Sequence, residues 1–94
     1  KERLVLKEHG GVEVKGSLGV NVQYPGEDVD LQVAGSIRFA DKKISVGAEV
    51  PVEGNYNRGD LQYNTKPSAG GWVGWICVES GNPGKWKKFG AIEK

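Results

Sequence analysis

Methionine is absent from the 94 residues, and cysteine and histidine occur once each, as Cys77 and His9. A chain without methionine is expected to be a piece of a longer product. One cysteine excludes an intrachain disulfide, so the staples that hold many small secreted domains together are missing. A chain this short buries a modest fraction of its surface, and oligomerisation is the expected alternative source of stability. Charge of one sign is also scarce in excess: thirteen basic residues face twelve acidic ones, a net charge of +1. That balance argues against nucleic acid as a partner, because phosphate binding draws on a concentrated basic surface. The dense basic cluster Lys85, Lys87 and Lys88 around Trp86 reads as a solvated turn. Apolar runs are short, far below the roughly 20 residues of a spanning helix, so no membrane insertion is expected.

Catalytic and metal chemistry find little to work with. Zinc takes about four ligands, and His9 and Cys77 are far apart in sequence. His9, beside Gly10 and Gly11, reads as an exposed turn residue, with a metal or anion held by three copies on a symmetry axis as the weaker alternative. Cys77 lies between Ile76 and Val78, where a thiol packs as a small hydrophobe. The pairs Asp28/Asp30 and Glu49/Glu53 read as solvated strand faces rather than as glycosidase carboxylates. No enzymatic activity and no cofactor are expected.

What is present is a two-residue period. Leu4 and Leu6; Val12 and Val14; Leu18, Val20 and Val22; Leu31 and Val33; Ile37 and Phe39; Ile44 and Val46; Val50 and Val52 alternate with polar neighbours. Such alternation with β-branched residues is the signature of strands. Fifteen glycines and four prolines interrupt the runs, leaving no room for an amphipathic helix. The fold class expected is all-β. A short repeat at an offset of 19 aligns residues 12–20 with 31–39: Val12/Leu31, Val14/Val33, Leu18/Ile37 and Val20/Phe39 match, as does Gly16-Ser17 with Gly35-Ser36. Each copy reads as two strands hinged at Gly-Ser, and repeats of this size need stacked neighbours or other chains. Tyr24–Asp28 is expected to turn between the copies, and Ala40–Lys43 to close a hairpin.

Aromatic content shifts near Val52. Only Tyr24 and Phe39 precede it, whereas Tyr56, Tyr63, Trp72, Trp75, Trp86 and Phe89 follow. Two parts are expected, a β-repeat shaft over 1–52 and a compact aromatic tip over 53–94. The tip would hold strands at Gly59–Asn64, Gly71–Glu79 and Trp86–Glu93.

The tip carries Gly59-Asp60, Tyr63-Asn64 and Pro67, then Gly71-Trp72-Val73-Gly74-Trp75-Ile76-Cys77, then Pro83-Gly84-Lys85-Trp86 and Phe89-Gly90. This pattern resembles the terminal motif of phage tail-fibre and tail-spike proteins and of prophage-borne β-helix proteins of Gram-positive hosts. Asp30–Ile37 is similar to the stretches that lead into such modules. The resemblance implies an intertwined homotrimeric β shaft ending in the aromatic tip. It further implies a virion or extracellular location and a role in trimerisation and host-surface polysaccharide recognition. Two other roles are set against it: a purely structural trimerisation clamp or chaperone, and an accessory carbohydrate-binding module of a polysaccharide-degrading enzyme.

Candidate ligand-binding residues in the tip are Trp72, Tyr63, Tyr56, Asn57 and Lys85. Trp72 and Trp75, three apart, should face opposite ways on a regular strand, with Trp75 and Trp86 in the core and Trp72 exposed. Arg58-Gly59-Asp60 spells an integrin-recognised tripeptide, but a turn glycine and a carboxylate capping local N–H groups is the better reading.

Overall fold

The computed structural model describes residues 3–6 and 10–94; the reading of His9 lies outside the described residues. Among the described residues every regular element is a strand and none is a helix. The all-β class holds. The chain packs as two compact units, Lys1–Gly35 and Ser36–Lys94.

In the first unit β1 (Arg3–Leu6) pairs antiparallel with β2 (Val12–Lys15), in register from Arg3↔Lys15 to Leu6↔Val12. Strands β3 (Leu18–Val20) and β4 (Leu31–Val33) pair in parallel, Leu18 beside Leu31 and Val20 beside Val33. The expected turn at Tyr24–Asp28 lies in the connection between them. That connection is held by Ser17 Oγ donating to Val29 O at 2.7 Å and Gly26 N donating to Gln32 Oε1 at 2.9 Å. Both repeat copies show strand, Gly-Ser, strand. The two strands of a copy do not pair with each other; the second strand of the first copy lies beside the first strand of the next. Val22 falls beyond β3, which ends before Asn21 at φ 60°.

The second unit is a five-stranded sheet in the order β5 (Ile37–Phe39), β6 (Lys42–Gly47), β7 (Leu61–Asn64), β8 (Trp72–Glu79), β9 (Lys85–Ala91). The hairpin β5–β6 pairs Phe39 with Lys42, so its loop is Ala40-Asp41 alone. The parallel pairing of β6 with β7, Ile44↔Leu61 to Gly47↔Asn64, joins the end of the repeat region to the aromatic segment. The compositional shift at 52/53 therefore lies inside this unit, in the connection from β6 to β7. Val50 and Val52 form no strand; Pro51 between them has no N–H to give a ladder. The three tip strands appear close to their expected bounds.

The sheet has two different faces, and the registers define both. On the inner face Ser45, Gln62, Trp75 and Lys88 form one cross-strand row, and Trp86 stands opposite Cys77. Here lie the buried residues: Trp75 at 5% exposure, Cys77 and Asp60 at 1%, with Gln62 and Asn64 also buried. The inward positions of β7 and its lead-in are thus Asp60, Gln62 and Asn64, a polar stripe at the strand period. Burying such groups is tolerated when their hydrogen bonds are made. Gln62 Nε2 donates to Glu49 O at 3.0 Å, and Ser45 Oγ donates to Gln62 Oε1 at 2.6 Å. Asn64 Nδ2 donates to Trp72 O at 3.2 Å, and Lys66 N donates to Asn64 Oδ1 at 3.0 Å. On the outer face run Ile37, Ile44, Leu61, Ile76 and Lys87, and beside them Val46, Tyr63, Gly74 and Phe89.

Candidate functional site

The connection 48–60 folds over the inner face and places Tyr56 and Asn57. Tyr56 is fixed by a two-way backbone bridge, its N–H donating to Gly81 O at 2.9 Å and Gly81 N donating to Tyr56 O at 3.1 Å. Its ring meets Trp86 edge-on, with centroids 5.0 Å apart, and Lys43 Nζ sits 3.9 Å from its centroid. Trp86 is anchored by Nε1 donating to Pro83 O at 2.8 Å. Asn57 is exposed and opens a turn closed by Asp60 N donating to Asn57 O at 2.9 Å, with Gly59 at φ 101°. A positive φ at the third position of a four-residue turn is the place a glycine serves.

Arg58-Gly59-Asp60 is therefore a structural turn. Asp60 Oδ2 accepts from Asn57 N at 2.8 Å and Oδ1 from Lys43 N at 2.9 Å. Arg58 N donates to Ser80 Oγ at 2.8 Å, and Gly59 N to Cys77 O at 2.8 Å. A carboxylate 1% exposed and already engaged is not presented to an integrin.

Trp72 departs from expectation. It is half-buried rather than exposed, and its ring lies 6.1 Å from that of Trp75, edge to face. Lys88 Nζ, on the inner face, sits 3.9 Å from the Trp72 centroid. Alternation would send Trp72 outward with Gly74 and Ile76. It opens β8 beyond the residues paired with β7, paired there with Ala91 of β9 alone, and its ring turns across the strand end to meet Trp75 and Lys88. Its Nε1 is buried and has no hydrogen-bond partner among the described residues. Trp75 is in the core as expected; Trp86 is half-buried.

Of the five candidate residues, the structure places the rings of Tyr56 and Trp72 against inner-face residues, each under a lysine ammonium, and Asn57 in the turn beside Tyr56. Tyr63 stands on the outer face, half-exposed, away from this group. Lys85 begins the edge strand β9 and pairs with Glu79 at 3.4 Å in solvent. Lys43 and Lys88, which complete the two aromatic–ammonium pairs, read from sequence as turn residues; both instead lie in strands, β6 and β9, and Lys88 is the cross-strand partner of Trp75. The lysine-rich β9 is an edge, where lysines discourage strand addition by another chain.

Chemically the group offers half-exposed aromatic rings, ammonium groups and an amide. Cys77, buried with Sγ donating to Glu79 O at 3.3 Å, takes a packing role. Among the described residues no three of His, Cys, Asp and Glu gather as metal ligands. Compared with known proteins, the chain matches no family model, no curated protein and no solved structure.

Proposed function

We propose that the chain is the C-terminal part of a trimeric phage tail fibre or spike that mediates trimerisation and recognition of host-surface polysaccharide. The observation that carries this reading is how the terminal motif is used. Its Gly59-Asp60 and Asn64 build the turn and the buried polar stripe, and its Gly74 lies where a Cβ would strike the Gln62 carbonyl. Its Gly84 packs against Glu79 O and Cys77 Sγ. The motif residues thus build the turn, the polar stripe and the close strand approaches of one small sheet.

Polysaccharide would be held by Tyr56, Asn57, Trp72 and Lys85, joined by Lys43 and Lys88. Sugar C–H faces pack on aromatic rings, while hydroxyls take hydrogen bonds from the amide and ammonium groups. Three weak sites on one rigid trimer gain avidity without new contacts. A purely structural clamp is the second reading, favoured by the lysine already seated on each of the Tyr56 and Trp72 rings.

Binding of the whole chain to host cell-wall polysaccharide, with solution mass measured in parallel, separates the two. Trp72→Ala and Asn57→Ala are expected to weaken retention about tenfold, one hydrogen bond or stacking contact being of order 1.4 kcal/mol, with the trimer intact. Unchanged retention, or loss of the trimer, favours the clamp.

A further inference from the structure

We propose that the first unit carries a binding cleft of its own, between β3 and the connection that follows it, and that its ligand is an amino sugar with a free, protonated amine. The cleft is built from residues 17–32 alone, so it is independent of the trimer reading and of the aromatic tip.

The cleft is open and has a volume of about 580 Å³, inside the roughly 300–1,000 Å³ of small-molecule sites. Gly19, Val22 and Pro25 line it with apolar surface, and Gln23, Tyr24 and Glu27 with polar groups. Its walls are fastened within the unit. A Cβ at Gly19 would strike the Pro25 ring at 2.7 Å, so the proline packs directly against β3. Ser17 Oγ donates to Val29 O at 2.7 Å and lies 3.3 Å from Gly26 O, while Gly26 N donates to Gln32 Oε1 at 2.9 Å. These contacts hold the connection at its middle and its end. A cleft shaped beforehand spares its ligand the cost of ordering it.

The polar lining is left free for a ligand. Tyr24 is 83% exposed, the most exposed aromatic ring among the described residues. Neither it nor Gln23 nor Glu27 makes a side-chain hydrogen bond or ion pair among the described residues. Glu27 is the one charged group of the lining. Residues 16–30 hold Glu27, Asp28 and Asp30 with no lysine, arginine or histidine, and the neighbouring Lys15 pairs with Glu13 at 3.3 Å. That sets the sign of the ligand. A phosphate or uronic acid would meet carboxylates and no cation, whereas a protonated amine is drawn both by the Glu27 carboxylate and by the face of the Tyr24 ring. The remaining lining says what carries the amine. Val22 and Pro25 beside the Gln23 amide and the Tyr24 hydroxyl suit a sugar ring, with its C–H faces and hydroxyl edges; a bare alkylammonium would leave the amide and hydroxyl unused.

The test is titration of the whole chain with glucosamine, and in parallel with N-acetylglucosamine and N-acetyl-lysine amide, followed by NMR through the ring protons of Tyr24 and the backbone amide of Gln23. Glucosamine is expected to shift both signals saturably. N-acetylglucosamine, whose nitrogen carries no charge, should bind at least about tenfold more weakly, and so should glucosamine to Glu27→Gln. Tyr24→Leu, read through the Gln23 amide, should weaken glucosamine about three- to tenfold. Both side chains are exposed and unpartnered, so neither substitution removes a contact that folding uses. No shift at Tyr24 with glucosamine, equal affinity for the two sugars, or unchanged affinity in Glu27→Gln overturns the site. N-acetyl-lysine amide binding as tightly as glucosamine overturns the sugar as its ligand.

Discussion

The side-chain Oδ1 of Asp60 accepts the backbone N–H of Lys43 at 2.9 Å, seventeen positions away in the chain. With Oδ2 on the Asn57 N–H, this one carboxylate ties the β6 strand to the turn that launches β7. It is also the acidic residue of a tripeptide that sequence alone offers to cell-surface receptors.

Asp60→Ala is expected to cost about 3 kcal/mol, because two part-buried N–H groups lose a charged acceptor. Asp60→Asn should cost about 2 kcal/mol, since its NH₂ must face one of those donors. Urea unfolding followed by tryptophan fluorescence measures both. The folded native chain should fail to support integrin-dependent cell adhesion, and the Asn variant should change nothing there.

Two glycines of the second unit are held by close approach. A Cβ at Gly74 would strike the backbone carbonyl of Gln62, and one at Gly47 would strike the Gln62 amide. Gly74→Ala is expected to lose about 2–3 kcal/mol, the range of overpacking against backbone that cannot yield. Gly47→Ala should lose less, about 1–2 kcal/mol, by displacing Gln62 from Ser45 and Glu49. Thermal melts of the two variants should rank in that order.

Ala40 carries φ 54° in the two-residue loop between β5 and β6. A residue with a Cβ is strained there and glycine is not. Ala40→Gly should stabilise the chain by about 0.5–1 kcal/mol, read as a higher urea midpoint with unchanged slope.

Trp72 and Trp75 should respond differently to the same change. Trp72→Phe removes a buried N–H that lacks a partner while keeping an aromatic face beneath Lys88, so stability should stay within about 1 kcal/mol of native. Trp75→Phe empties space in the closed core and should cost about 2 kcal/mol or more. Equal losses would mean that the Trp72 indole N–H is satisfied in solution.

Strand positions in the tip were legible because Asn64, Glu79 and the glycine-rich turns punctuate an alternating pattern. The Gly59 turn and the packing of Cys77 were likewise readable from local chemistry. Pairing was not: nothing in the composition around Val52 signals that β6 lies parallel to β7, a contact made across a long connection. The turned ring of Trp72 escaped because it depends on its contacts with Trp75 and Lys88, which alternation along the strand does not encode. The polar stripe Asp60, Gln62, Asn64 also inverts the usual rule. A reader of hydropathy would assign Leu61 and Tyr63 inward, and the hydrogen bonds donated by Lys43, Ser45 and Lys66 and accepted by the Glu49 carbonyl make the opposite assignment stable.

The most direct measurement of the proposed role is the mass of the chain in solution, by light scattering at low micromolar concentration. A mass about three times 10.1 kDa is the expected result. A folded species of 10.1 kDa at every concentration tested would contradict the trimeric fibre tip and leave the aromatic sheet as a module that stands alone.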